Sequence, residues 1–399
     1  MEIKKGYKQT EVGVIPVDWE IKELYQVAKF INGKAHEMFI DENGNYKVVN
    51  SKFVSSGGSV YKFSSKSLCN LNVGDITMVM SDIPNGKALA KCFLIDQNNT
   101  YTLNQRICAL TPFEDSPNYL FRALNRNKYF LAFDSGTGQT NLRRQEVISC
   151  PVILPSKSEQ TAIANALSDA DTYINSIEKL IEKKRQIKQG AMQELLKPKD
   201  GWEEKPLKNV CWFQEGPGLR NWQFTTSGIK VINVTNLENG LINLDKTDRH
   251  ISLEEFHKMY KHFEIQENDI VVASSGNSYG KVSVVRKQDL PLLMNTSVIR
   301  FKPSKELDYN FLLTFLKSNQ FKNQIDLLIT GGAQPNFGPY HLNKISINLP
   351  QSKQEQIRIA TILYSMDTEI AKLEIKLEKF KKIKSGMMQN LLTGKIRLI

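Results

Sequence analysis

The decapeptide IKQGAMQELL occupies residues 187–196, and IKSGMMQNLL occupies residues 383–392, 196 positions further along the same 399-residue chain. The match does not stop there. Upstream at the same offset, Leu167 meets Leu363, Asp171 meets Asp367, and Glu159-Gln160 meets Glu355-Gln356. Further back, SGTGQTNL (135–142) faces TGGAQPNF (330–337), DITMVMS (75–81) faces DIVVASS (269–275), and NGK (85–87) faces YGK (279–281). Nearer the start, YKVVN (46–50) faces IKVIN (229–233), and Trp19, Leu24, Val27, Phe30 and Gly33 face Trp202, Leu207, Val210, Phe213 and Gly216. The offset changes in one direction only, from 183 to 196, as small insertions accumulate in the second copy. An ordered series of this kind is an internal duplication of about half the chain.

Each copy reads as two parts. The first is rich in short β-like runs such as KVVNSKFV, DITMVM, KALAKCFLI and QRICAL, punctuated by glycine and asparagine turns. One helical stretch follows, NYLFRALNRNKYFLAF in the first copy and YNFLLTFLKSNQF in the second. This pattern predicts a mixed α+β head with a twisted, partly antiparallel sheet. The second part reads as a long helix. It opens after Leu-Pro with Ser156-x-x-Glu159 or Ser352-x-x-Glu355, the spacing of a capping box. Apolar residues then alternate in steps of four and three: Ile163, Leu167, Ala170, Ile174, Ile177 and Ile181, matched by Ile359, Leu363, Met366, Ile370, Leu373 and Leu377. That is the seam of a left-handed coiled coil. The phase slips at Lys184/Phe380 and resumes at Ile187/Ile383 and Leu195/Leu391, with charged flanks between.

One narrow apolar stripe cannot be buried by the helix that bears it, so each long helix is the natural partner of the other. Antiparallel packing would put the heads at opposite ends of a shared rod, related by an approximate two-fold axis. About 36 helical residues give a rod on the order of 50 Å, somewhat more than the roughly 34 Å turn of duplex DNA. By the same reasoning, a fragment ending near Lys197 would pair its helix with that of a second copy.

A chain with 41% hydrophobic and 24% charged residues suits two globular domains, each large enough to bury a core. The net charge of +11 favours a polyanionic partner, nucleic acid first. No window has the apolar length of a membrane span or of a signal peptide. The cysteines at 69, 92, 108, 150 and 211 form no CxxC pair and read as buried or incidental thiols of a cytoplasmic protein. His257 and His262 lack both the spacing and the acidic or thiol company of a metal site.

The loops resemble catalytic signatures and miss each of them. Residues 133–138, FDSGTG, follow a predicted helix rather than a strand, and the second copy has TGGA in place of the G-x-G. The chain has no Pro-Pro pair of the kind that amino-methylating DNA enzymes use on the target base. SDIPNGKA and SGNSYGKV lack the first glycine and the magnesium-binding hydroxyl of a phosphate loop. No nucleophile–base set can be assembled. The same loops suit binding, with Gly-Lys bringing an N–H and an ammonium to a phosphate and polar side chains reading base edges. The candidates for DNA contact are Lys87, Gln139, Asn141, Arg143 and Arg144 in the first copy, and Asn277, Tyr279, Lys281, Gln334 and Asn336 in the second. The copies diverge here, Arg143-Arg144 being replaced by Gly338-Pro339, whereas the paired Gln and Asn equally suit tying the loop down.

Two further motifs bear on family. The chain opens with GYKQTEVGVIPVDWEIKEL (6–24), and its first long helix begins Pro155…Glu159-Gln160 and ends Gly190-Ala191-Met192-Gln193-Glu194-Leu195-Leu196. The second copy carries an extra residue between Pro350 and Glu355-Gln356. In this layout the chain resembles the specificity subunits of type I restriction–modification systems over essentially its full length. Each motif alone is modest, and the duplicated order makes the match specific. The resemblance implies target-recognition domains at 1–155 and 199–350 and spacer helices at 156–198 and 351–399. Each domain would read half of a bipartite, asymmetric site on double-stranded DNA. The helices would dock two adenine methyltransferase subunits, restriction subunits would join that core, and this chain would be non-catalytic. S-adenosylmethionine, ATP and magnesium would belong to those partners, with no cofactor in this chain. The competing readings are a self-sufficient DNA methyltransferase or nuclease, and a coiled-coil scaffold without DNA specificity.

Overall fold

A computed structural model describes residues 5–83, 86–134, 136–238, 240–329 and 335–398, apart from the side chain of Asn277. The chain divides into two units, Met1–Glu178 with Lys376–Ile399, and Lys179–Ile375. The duplication is visible in their topology. In the first unit an antiparallel sheet has the order Ala28–Asn32, Ile107–Pro112, Ile76–Val79, Cys92–Leu94. In the second the order is Cys211–Glu215, Val298–Pro303, Ile270–Ala273, Val282–Val284. The inner strands Ile76–Val79 and Ile270–Ala273 are buried at every residue, so the second reads as an unbroken apolar run and the first is broken only by Thr77, whose hydroxyl donates to the Phe93 carbonyl (3.0 Å). A smaller sheet carries a parallel pair in each head, Tyr46–Val49 beside Tyr101–Leu103 and Ile229–Ile232 beside Leu292–Met294. Gly33 and Gly216 close the first strand of the main sheet in each copy. A Cβ there would lie 1.9 Å from the Asn104 carbonyl oxygen or 2.3 Å from that of Asn295, so only glycine lets the backbones approach.

The helical stretch of each head is two helices, not one. In the first head Pro117–Leu124 and Lys128–Leu131 are separated by Arg126, whose φ is +57°. The Arg126 amide donates to the Ala90 carbonyl (2.8 Å), its guanidinium donates to the Leu89 carbonyl (3.1 Å), and Asn127 caps the next helix through Tyr129. In the second head Ser318 caps Asn319–Leu328 after Tyr309–Leu316 ends. Local polar side chains outcompete helix continuation at both breaks.

A two-stranded ribbon leads into each long helix, Pro151–Leu154 on Glu20–Glu23 and Ser346–Pro350 on Trp202–Pro206. The helices span Lys157–Leu195 and Lys353–Leu391, 39 residues each. The capping box forms only by half in the first copy. The Glu159 amide donates to Ser156 Oγ (3.3 Å), but the Glu159 carboxylate is buried and accepts from Trp19 Nε1 (3.1 Å) and from Arg397 (2.8 Å, twice). In the second copy Glu355 pairs instead with Arg358 (2.9 Å). The residue that does the same work in both is the buried glutamine. Gln160 accepts from the Ser116 amide (3.0 Å) and donates to the Pro155 carbonyl (3.1 Å); Gln356 accepts from the Asp308 amide (2.8 Å) and donates to the Pro350 carbonyl (3.1 Å). Each glutamine fastens the start of a long helix to the head in its unit.

Each unit pairs the beginning of one long helix with the end of the other, antiparallel. In the first unit Asp171 meets Lys384 and Glu178 meets Lys381 (2.9 Å); in the second Arg185 meets Glu374 (2.5 Å) and Lys188 meets Asp367. Ile163, Leu167, Ile174, Ile177, Ile181, Ile359, Leu363 and Ile370 are buried, with Leu373 and Leu377 half-buried. The seam does not skip beyond that point. Lys184 and Lys188 continue its three-and-four spacing and are half-buried, whereas Ile187 and Ile383 are 47% and 42% exposed. Lysine stems fill seam positions while their ammonium groups reach carboxylates outside. The core of the first unit joins Trp19, Leu24, Val152, Leu154, Ile163 and Leu167 to Leu391. In the second, Leu207, Ile347, Leu349, Ile359 and Leu363 join Leu196.

Candidate nucleic-acid interface

Sheet register gathers several loops at one end of each head. In the first head Asn32 pairs with Cys108, and Ile107 with Val79, so the segments after residues 32 and 79 and before residue 107 share an edge. Main-chain bonds knit them together: Gly33 N to Ile107 O (3.2 Å), Met80 N to Arg106 O (3.2 Å) and Leu142 N to Met80 O (2.8 Å). The second head repeats the arrangement, with Gly216 N to Val298 O (3.1 Å), Ser274 N to Ser297 O (2.9 Å) and Phe337 N to Ser274 O (2.9 Å).

Lys87 stands exposed at this edge, but its loop is no phosphate cradle. The Asp82 carboxylate already accepts from the amides of Ala88 (2.6 Å) and Leu89 (3.0 Å). Lys281 is likewise exposed, and the amides of Gly280 and Lys281 are bonded to Ala273 O (2.7 Å) and Ser278 O (3.1 Å). In both heads the ammonium, and not the backbone, is what the Gly-Lys loop offers an anion. Asn141 accepts from Ser81 Oγ (2.6 Å) and lies within 3.5 Å of Gln139 Nε2. Its strand, Thr140–Asn141, pairs with Ser81–Asp82, and Asn336 bridges Ser275 in the equivalent place. These asparagines tie the loop down while remaining exposed. Tyr279 is half-buried, with its hydroxyl donated to Asp326 (2.5 Å), a bond that raises its pKa. That commits it to the head. Arg143 and Arg144 are exposed at the start of the helix Arg144–Ile148, and the Arg144 guanidinium lies 5.8 Å from the Phe30 ring. Gln334 and the Asn277 side chain lie outside the described residues.

Sequence reasoning missed the turn that follows Gly33 and Gly216. In the first head it carries Met38, 92% exposed, with Lys34 exposed beside it and Gln105 and Arg106 exposed on the adjoining turn. In the second it carries Trp222, 81% exposed, with Arg220 exposed. These two are the most exposed large apolar side chains among the described residues. The turns that hold them are pinned. Buried His36 contacts Lys34 O through Nδ1 (2.7 Å) and Thr102 Oγ1 through Nε2 (2.8 Å); buried Gln223 accepts from the Arg220 amide (2.8 Å) and donates to Tyr260 Oη (2.9 Å). No periodicity announces such a tip, and only the duplicated Gly33/Gly216 points to the place.

Basic and amide side chains around an apolar tip, on one scaffold used twice with different tips, define a recognition protein whose two heads are not equivalent. Among the described residues no group of three His, Cys, Asp or Glu side chains is placed to hold a metal, and no helix is long and apolar enough to cross a membrane. Comparison with known proteins supplies the family. Residues 16–189 and 199–379 each match the type I restriction modification DNA specificity domain. The chain is 27% identical to the type I restriction enzyme MjaVIII specificity subunit of Methanocaldococcus jannaschii, covering 99% of this chain and 97% of that one. It is 25% identical, over 99% of this chain and 97% of the relative, to the putative MjaX specificity subunit of the same organism. The fold is that of the crystallised type I restriction–modification S subunit from M. genitalium, with a TM-score of 0.59, 17% identity and 98% of each chain covered. The chain belongs to the type I restriction modification DNA specificity family.

Proposed function

We propose that the heads at 1–155 and 199–350 each read one half of a bipartite, asymmetric sequence on double-stranded DNA. The helices at 156–198 and 351–399 serve as spacers and dock two adenine methyltransferase subunits, to which restriction subunits add. In this reading the chain performs no chemistry itself, works in the cytoplasm, and leaves S-adenosylmethionine, ATP and magnesium to its partners. The observation that carries the reading is a shared strand order with different tips, Lys34, Met38, Gln105 and Arg106 in one head against Arg220 and Trp222 in the other. Equivalent scaffolds with unlike tips fit unlike half-sites. Lys87, Gln139, Asn141, Arg143, Arg144, Lys281 and Asn336 supply phosphate and base-edge contacts around those tips.

The test is to express the chain with its methyltransferase in a host lacking other modification and to sequence the methylome. Methylated adenines in one split motif with unlike halves are expected, and none without this chain. A continuous motif, or methylation independent of this chain, would refute the assignment.

A further inference from the structure

The long helices are copies of one another, so each junction in one unit can be compared with its duplicate in the other. Two ion pairs recur. Asp171–Lys384 in the first unit is duplicated by Asp367–Lys188 in the second, and Glu178–Lys381 by Glu374–Arg185. Either would form equally well between one helix and a second copy of itself. Those pairs therefore fix direction and register and leave the partner open.

One junction breaks the rule. In the first unit Tyr173 packs edge-on against Phe380, with ring centroids 4.5 Å apart. The duplicates of those positions are Glu369 and Lys184, and in the second unit they form an ion pair at 2.7 Å. The same place in the helix pair holds two rings in one unit and two charges in the other.

We propose that this junction selects the partner, so that each long helix prefers the other helix to a second copy of itself. In the same register, two copies of the first helix would place Tyr173 against Lys184 twice. Two copies of the second would place Glu369 against Phe380 twice. Both ion pairs and both ring pairs would be lost in that exchange. A carboxylate would gain only an aromatic ring, whose face carries negative charge. A lysine against tyrosine recovers a cation–π contact. The observed pairing already has one, however, because Lys376 lies 5.3 Å from the Tyr173 ring. The duplicate of Lys376 is Leu180, so self-pairing of the first helix trades one cation for another and still loses Phe380. A polar residue at a seam position is a known means of fixing coiled-coil partners at some expense of stability. Lys188 recurs as Lys384 and is neutral in that choice, whereas Lys184 is replaced by Phe380 in the other helix. The partner this surface fits is thus a C-terminal half for every N-terminal half, from the same chain or from another. A shortened chain that presents only the first helix would still pair with itself, but it would yield to a second helix when one is present.

The linker 197–201 is exposed at every residue and permits a direct test on the whole protein. The intact chain is folded first, then cut at a protease sequence placed in that linker, and mixed with cut chain bearing a different tag. Capture through the tagged first half should recover second halves over other first halves by about tenfold, equivalent to about 1.4 kcal/mol. Y173E/K184F makes the helices alike at the junction, as does E369Y/F380K. Each should lower the ratio several-fold, to what Arg397 on Asp18 and Glu159 maintains, its duplicate being Gly201. The four changes together restore one ring pair and one ion pair with their units exchanged, and the preference should return. A ratio that ignores the half-swaps, or that the full swap does not restore, overturns the proposal. Thermal melting of the uncut chains guards against a variant that falls apart on cutting. Each half-swap should melt lower than the parent and the full swap should recover most of the loss; additive losses would count against the junction. Neither readout involves DNA.

Discussion

Met38 and Trp222 stay in water although no packing in their own heads requires it. Exchanging an exposed apolar side chain for serine changes stability by roughly 0.5 kcal/mol or less. If the tips face duplex DNA, the same exchange removes apolar contact with bases and with the thymine methyl. We predict that Met38→Ser and Trp222→Ser each weaken binding of the target duplex by about tenfold, measured by fluorescence anisotropy with the assembled complex. Melting temperature should not move. Unchanged affinity for both variants would place the DNA elsewhere on the heads. The tips show where residue-level reading of a sequence stops. The duplicated Gly33 and Gly216 marked the end of a strand, and the Gly-Lys loops marked exposed ammonium groups. That the Asp82 carboxylate occupies the amides beside Lys87, or that buried His36 fastens the turn carrying Met38 to Thr102, depends on contacts across 6 to 66 residues of sequence, which local spacing does not encode.

Among the elements, the long helices were the most legible and also held the clearest misreading. The apolar steps to Ile181 and Leu377 gave the seam, because two apolar faces of one period need each other. Beyond them Lys184 and Lys188 hide the same seam, since a charged residue in the string looks like a change of phase. The structure identifies the carboxylates that make those lysines tolerable. Those are Glu369 and Asp367; Asp171, the duplicate of Asp367, is more enclosed than either and is held by Arg122 and Lys384 together. Burial works to raise its pKa, but the hydrogen bonds from Lys384 and Arg122 prevail and hold it below the ordinary 3.8. A carboxyl depressed in the folded state adds stability that is complete above its unfolded pKa. That stability is lost as pH falls through the lower, folded value. Asp171→Asn should therefore destabilise the protein by about 1–2 kcal/mol at neutral pH, and the difference between variant and parent should shrink below about pH 4. Denaturant melts at pH 7 and pH 3 measure both. A pH-independent difference would mean that the carboxylate charge is not what matters there.

For the molecule as a whole, the duplication was the reading that mattered, because a fold used twice can be recognised from matched intervals even where neither copy is easily read alone. The strand order of the main sheet and the parallel pair came out the same in both units, whereas the smaller sheet has three strands in the first and four in the second, and the exposed tips differ. The excess of positive charge has a whole-molecule consequence as well. If each of Lys34, Lys87, Arg106, Arg143, Arg144, Arg220 and Lys281 meets one phosphate, log affinity should fall against log salt with a slope of about −6. A titration of duplex binding from low to physiological salt gives the slope directly, and a value near zero would exclude backbone contact by these side chains.

The division of the chain also has a bearing on how the protein is made. One unit is contiguous, Lys179–Ile375, whereas the other needs Lys376–Ile399 in addition to its first 178 residues. Leu391 is buried in the same core as Trp19, and Arg397 bonds Asp18 and Glu159. During translation, the half that leaves the ribosome second is accordingly the first to possess all of its residues. The half that leaves first must wait, with one flank of its core unfilled, until residues 376–399 have followed the whole of the other unit.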